Sequence, residues 1–312
     1  MNEKDHKNKY KDIPRIYFEK GENFNIPKDK VVTVVNCDNK IIIRESWRKS
    51  NNLQRYKRKD TKHYIDTATG ELLEYSKKGP YKNKKEIVKA MNKLREIVMT
   101  NFKGKFNELF ITLTCREKIN LKQIQKRIKY FIRRLKKKYF KKKFEYIYKF
   151  ERQKNKNWHI HLLLKDTKHK KLIIPNEIVE YIWSKGFTKT LRVYDGSSTE
   201  YRKITPENKK DVSERETDIN NELKDINVSD SKSIANYMAQ IDQLNDFPRG
   251  ERIYVKSTGI KLPIKYKMKY EDAINEYVND NYRITYEKTI VVKSLANDKI
   301  INKHKIEEYR KK

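Results

Sequence analysis

Histidine and cysteine are scarce in this chain, with six histidines and two cysteines among 312 residues. Cys37 and Cys115 are too few for a disulfide framework or a zinc set. Each reads as a small buried hydrophobe in a reducing cytoplasm. Long apolar runs are also missing. No stretch approaches the roughly 18–20 residues of a membrane-spanning helix, and the opening MNEKDHKNKY has no signal-peptide core. A cytoplasmic location without a membrane partner is therefore expected.

Acidic residues are short as well. Against 75 Lys and Arg stand 42 Asp and Glu, a formal net charge of +33. An imbalance of that size predicts an anionic partner, nucleic acid or a membrane surface, and the missing apolar segments weigh against the membrane. Lys-rich and Asn-rich chains also arise from AT-rich genomes, so composition suggests nucleic acid without proving it.

Residues 1–30 are polar and aperiodic and predict a loose arm. VVTVV and KIIIRES flank NCDN, a hairpin turning at Asp38-Asn39, and HYIDTATGELLEYS makes a second hairpin with Gly70 in its turn. Ile87, Met91, Leu94 and Val98 form one apolar stripe of a helix from Lys84 to Phe102. LFITLTC (109–115) predicts a strand. LKQIQKRIKYFIRRLKKKYFKKK (121–143) predicts a helix burying Ile124, Ile128, Phe131 and Leu135, with twelve Lys or Arg and no acid on its other faces. Such a face can be merely solvated. The missing Glu favours phosphate contact, with Arg133, Arg134 and Lys137 as candidate DNA-binding residues.

FEYIYKFE (144–151) and WHIHLLLK (158–165) predict two strands joined by a polar turn. IPNEIVEYIWSKG reads as a helix with Asn176 as N-cap and Gly186 just past its end, followed by the strand FTKTLRVY. Residues 195–230 reverse the charge balance, with ten acids against six bases. That reversal marks an inserted flexible loop. SKSIANYMAQIDQL resumes helical spacing, and beyond Pro248 the chain reads as mixed strands and short helices. No internal repeat is evident. The expected organisation is an N-terminal arm and hairpin extension (1–83), a central domain (84–246) and a C-terminal α/β extension (247–312).

Two of the six histidines sit one residue apart in NKNWHIHLLLKD. On a strand, His159 and His161 share a face, while Ile160, Leu162 and Leu164 point the other way to be buried. Imidazoles about 7 Å apart at Cα can converge on one divalent ion. Glu151 ends the preceding strand and folds back beside them as a third ligand. The alternative is two solvent-facing histidines on an edge strand.

With FITLTC (110–115), FERQKNKNWHIHLLL (150–164) and SIANYMAQI (233–241) in that order, the sequence resembles the HUH endonucleases. Within them it is most similar to the rolling-circle replication initiators of plasmids and phages. IPNEIVEYIWSKGFTKT, and more loosely DTATGELLEY and RIYVKSTGIKLP, resemble initiators of Gram-positive plasmids and integrated elements. The likeness spans roughly residues 64–266.

The resemblance implies metal ligands at His159, His161 and Glu151, a nucleophile at Tyr237, and supporting roles for Thr112 and Thr114. It implies Mg²⁺ or Mn²⁺ as cofactor and single-stranded or hairpin origin DNA as partner. A host helicase and polymerase would follow, and the protein would act as a monomer or transient dimer. Many relatives carry a lysine three residues after the tyrosine, where this chain has Gln240. Some have a second tyrosine at the fourth, where this chain has Ile241, which argues for a single-tyrosine enzyme.

The implied fold is α+β, an RRM-like (ferredoxin-like) antiparallel sheet of about five strands with helices on one face and the histidine strand central, plus N- and C-terminal extensions. The rivals are a relaxase, whose tyrosine usually lies near the N-terminus, a single-tyrosine transposase, usually much shorter, and a non-catalytic RRM-like binder. The binder would expose stacking aromatics on its middle strands, where this sequence places histidines.

Overall fold

The computed structural model describes residues 16–193 and 231–312, apart from 39, 47–55, 67–68, 75–79, 140, 154–156, 242–243, 245 and 295–296. The acidic stretch expected as an inserted loop at 195–230 lies outside the described residues. The fold class is α+β with antiparallel sheets, as the sequence implies. The chain divides into two compact units, residues 80–262 and residues 1–79 together with 263–312.

The second of these units joins the two ends of the chain. Strands β1 (Ile16–Lys20), β2 (Val31–Asn36) and β3 (Lys40–Ser46) share a six-stranded sheet with β12 (Ile264–Lys269), β13 (Tyr282–Ser294) and β14 (Ile300–Lys311), in the order β1-β13-β14-β3-β2-β12. The β2–β3 turn sits at Asp38, which adopts φ 72°. Part of the segment read as a loose arm is therefore ordered, because β1 pairs with β13. Val32, Val34, Ile41, Ile43 and Tyr309 form the core of one sheet face with Ala273 and Val278. A separate three-stranded sheet holds β4 (Tyr56–Arg58), β5 (His63–Asp66) and β6 (Leu72–Glu74), with Gly70 at φ 73° before β6.

The 80–262 unit is built on a five-stranded sheet. Its strands are β7 (Glu108–Thr114), β8 (Phe144–Arg152), β9 (Trp158–Asp166), β10 (Thr188–Arg192) and β11 (Tyr254–Lys256), in the order β10-β7-β9-β8-β11. The histidine strand β9 is thus the middle one. It is buried on both faces, and so reads as a nearly continuous apolar run.

Helix α1 (Lys84–Asn101) starts at a capping box in which Asn83 and Glu86 bond each other's backbone N–H at 2.9 Å. Helix α2 (Leu121–Lys138) starts the same way at Asn120 and Gln123. It ends five residues short of the expected 143. Helices α3 (Asn176–Trp183) and α4 (Ser231–Met238) complete the layers.

Strand parity assigns the helices to faces. Tyr146 pairs with Leu164 across β8 and β9, and Lys136 of α2 lies 5.3 Å from the Tyr146 ring. Phe131 of α2 meets Trp183 of α3 edge-on at 5.9 Å. Helices α2 and α3 therefore cover the face of Ile160, Leu162 and Leu164. The histidine face carries α4 and the end of α1, where Lys165 donates to the Asn101 carbonyl at 3.0 Å. Helices thus lie on both faces of this sheet.

Two local expectations are corrected. Asn176 does not cap α3; Pro175 stands at that position, and the Asn176 amide instead bonds Thr188 and Thr190 of β10. The helix ends at Ser184, which takes the left-handed conformation with φ 49°. Gly186 serves close approach rather than helix termination, since a Cβ there would lie 2.1 Å from the Thr114 carbonyl oxygen.

Candidate active site on the histidine face

The register of three adjacent strands builds the site. Across β9, His159 stands opposite Thr114 on one side and Glu151 on the other, while His161 stands opposite Thr112 and Lys149. Residues directly opposite share a face, so all six side chains point to one side of the sheet. Tyr237 comes to the same place from α4. The structure therefore brings together His159, His161, Glu151, Thr112 and Tyr237, from segments as far as 125 residues apart, Thr112 to Tyr237.

His161 is the hub. Its Nε2 lies 2.7 Å from Glu151 Oε2 and 3.2 Å from the Tyr237 hydroxyl, and its Nδ1 lies 3.4 Å from Thr112 Oγ1. Phe110 stacks on the imidazole at 5.6 Å and meets the Tyr237 ring edge-on at 5.7 Å. The His159 and His161 rings are 4.4 Å apart. Thr114 serves the frame: its hydroxyl accepts from the Phe187 N–H at 2.9 Å and donates to the Phe187 carbonyl at 3.0 Å, tying β7 to the start of β10.

The cluster is closed from solvent. His159 is 0 % exposed, Glu151 5 % and Tyr237 7 %. Burial opposes a charge on Glu151, yet the Lys149 ammonium and His161 outweigh it and hold the carboxyl well below its usual range. Burial pushes both imidazoles down. His159 falls furthest, with His161 beside it adding to the effect, while on His161 Glu151 works against it. The state favoured is two neutral imidazoles and one carboxylate, the protonation a divalent ion needs in its ligands.

Among the described residues no three His, Cys, Asp or Glu side chains stand in a metal-holding arrangement, because Glu151 and His161 are bonded to each other. The donor set nonetheless fits an ion. Both ring nitrogens of His159 are buried without a hydrogen-bond partner, a costly condition for a polar group. Two ligands of one small octahedral ion stand roughly 3 Å apart, so the contact between Glu151 and His161 has little distance to relax. Thr112 at Nδ1 can hold the tautomer that leaves Nε2 unprotonated.

Lys149 is the residue that sequence reasoning missed. It is 0 % exposed and donates to Glu151 Oε1, with the Gln240 carbonyl 3.5 Å away. A signal was present, because Lys149 and Glu151 are two apart on one strand and must share a face. Lysine is so seldom buried that it reads by default as solvated. The Gln240 side chain itself is exposed.

Arg133, Arg134 and Lys137 are not at this site. They lie on α2, across the sheet from the histidines. Arg133 and Lys137 are exposed and Arg134 is half-buried.

Residues 108–240 match the model of a family described as Replication-associated protein ORF2, a rolling-circle replication initiator family. The matched segment opens with β7 and closes three residues after Tyr237, so it contains the whole cluster. No curated protein matches the chain. The match supports a replication-associated protein that binds origin DNA. No described helix is long and apolar enough to cross a membrane.

Proposed function

We propose that the chain is a single-tyrosine replication initiator that nicks and rejoins single-stranded origin DNA at the cluster on the histidine face. One observation carries the reading: the Tyr237 hydroxyl is held 3.2 Å from His161 Nε2, beside Glu151 and His159. The chemistry of those groups suits phosphoryl transfer. The Tyr237 oxygen forms a bond to phosphorus while the bond from phosphorus to the 3′-oxygen breaks. The phenol gives up its proton and the leaving oxygen gains one, so the products are a 5′-phosphotyrosine and a free 3′-OH. The new bond conserves the phosphodiester's energy and can be reversed by a 3′-OH.

His159, His161 and Glu151 would hold Mg²⁺ or Mn²⁺, which would polarise the scissile phosphate and offset the weak nucleophilicity of a phenol. Thr112 orients His161, and Phe110 fixes the planes of His161 and Tyr237 against each other. Lys149 keeps Glu151 ionised. Admission of a phosphate requires the Tyr237–His161 contact to open, since both groups are buried. The test is to incubate the protein with single-stranded origin oligonucleotides and Mn²⁺, isolate any covalent adduct and map the peptide. DNA on Tyr237 supports the reading. DNA on another tyrosine, or no adduct with any divalent ion, overturns it.

A further inference from the structure

Across the sheet from the histidine cluster, α2 presents a continuous basic stripe. Its buried residues are Leu121, Ile124, Ile128, Phe131, Ile132 and Leu135. The exposed positions Lys122, Lys126, Lys129, Arg133, Lys136 and Lys137 recur at intervals of one or three to four residues, so they form one outward stripe. No Asp or Glu occurs anywhere in the helix. An 18-residue helix is about 27 Å long, so the stripe offers cations at every turn along that length.

Two large aromatic side chains stand in the same face. Tyr130 is 51 % exposed and Tyr181, from α3, is 69 % exposed. The Arg134 guanidinium lies 5.7 Å from the Tyr130 ring and 5.6 Å from the Tyr181 ring, and it donates to the Ile182 carbonyl at 3.4 Å. Arg133 lies 5.1 Å from the Tyr130 ring on the same side. Tyrosines on a solvated face bury little, whereas here they hold guanidinium planes in fixed positions. Arginines fixed in this way lose little freedom when they take a phosphate.

We infer that the α2–α3 face is a second DNA site that holds duplex, separate from the face on which a single strand would be cut. Charge complementarity argues for a polyanion, and shape argues for a duplex. A convex helical ridge has no channel in which to thread a single strand, whereas the major groove admits a helix and its walls carry two rows of phosphates. Placement completes the argument. A duplex on α2 and a strand at His159 and His161 would occupy opposite sides of one sheet, so both can be bound at once. An initiator needs that arrangement if it is to stay on its origin while one strand is opened. The inference rests on the proposed function only for the use of the duplex, not for its binding.

The test uses the full chain, a mixed-sequence 24-base-pair duplex and a dT12 single strand, with affinity measured by anisotropy over a salt series. Lys126→Gln/Arg133→Gln/Lys137→Gln should flatten the duplex plot of log K against log salt by about 2.7, at about 0.9 for each phosphate no longer neutralised. The dT12 slope should stay as it was. Tyr130→Ala/Tyr181→Ala should weaken duplex binding several-fold with the slope nearly kept. A second set, Lys122→Gln/Lys129→Gln/Lys136→Gln, guards against a misfolded variant, and thermal melts confirm each fold. An unchanged duplex slope in both sets overturns the inference, as does an equal or larger fall for dT12, which would make this a single-strand face. Absence of a Tyr237 adduct would count against the proposed chemistry and leave the duplex result standing.

Discussion

The phenol oxygen of Tyr237 and Nε2 of His161 lie 3.2 Å apart, although 76 residues separate them in the chain. A tyrosine with only a packing role has no reason to aim its hydroxyl at a buried imidazole. The ring and the hydroxyl can be tested separately. Tyr237→Phe keeps the ring against Phe110 and removes one hydrogen bond, so the stability loss should be about 1 kcal/mol. Covalent DNA adduct should vanish, with single-strand binding nearly unchanged. Adduct persisting in this variant would transfer the role to another tyrosine.

The divalent ion makes a second prediction. His159→Ala should abolish adduct formation, as should EDTA on the unaltered protein. Glu151→Gln should shift the Mn²⁺ titration to higher concentration, because a neutral amide is a poorer ligand than a carboxylate. Full activity in EDTA, or an unmoved titration for Glu151→Gln, would remove the ion or the glutamate from the site.

The buried imidazoles also predict a pH dependence. Burial depresses the folded pKa of His159 and of His161 below the usual 6.5. Above pH 6.5 both are neutral in the folded and unfolded chain, and their burial carries no proton linkage. Below 6.5 the unfolded chain binds protons that the fold refuses, so stability falls by up to about 1.4 kcal/mol per pH unit for each histidine. Glu151, also depressed, stabilises above its unfolded pKa near 4.3 and loses that contribution only as pH falls further. Urea melts between pH 7 and 5 should therefore show a decline belonging to the histidines. His159→Gln should make that decline shallower; an identical slope would mean that His159 does not titrate with folding.

How much of this was legible beforehand depended on the range of each signal. The alternation in WHIHLLLK fixed which side chains share a face, and the short connection from Phe150 to Trp158 fixed Glu151 beside His159. The sheet joining β1, β2 and β3 to β12, β13 and β14 was not legible, because period-2 patterning says which face a residue takes and not which strand it pairs with. Asn176 was read as a cap because Asn before an apolar helix usually is one. A tertiary partner, the Thr188 and Thr190 pair, claimed its amide instead. The side of the sheet taken by each helix was likewise set by packing that no local pattern encodes.

Gly186 illustrates the same limit and yields a prediction. Its place after a helix suggested a C-cap, but its constraint is the Thr114 carbonyl, which also accepts from the Trp183 indole at 2.7 Å. Gly186→Ala would force the backbone after α3 away from the end of β7 and should cost about 1–3 kcal/mol in a denaturant melt. A neutral substitution would show that the loop can yield without disturbing β7.

Lys149 and Glu151 give the sharpest test of the electrostatics. Lys149 is wholly buried and faces Glu151, whose other oxygen bonds His161. Removing one partner of a buried ion pair leaves the other charge uncompensated, at a cost of about 3–5 kcal/mol. Lys149→Met should incur a loss of that order, and the Glu151 carboxyl should then titrate at a higher pH than before, because its main stabilising charge is gone. Lys149→Met/Glu151→Gln removes both charges and should recover much of the lost stability. The double-mutant cycle thus has a required sign: the two losses must sum to more than the loss in the double variant. Strict additivity in denaturant melts would mean that the two charges do not act on each other in the folded chain, and that Glu151 is kept ionised by His161 alone.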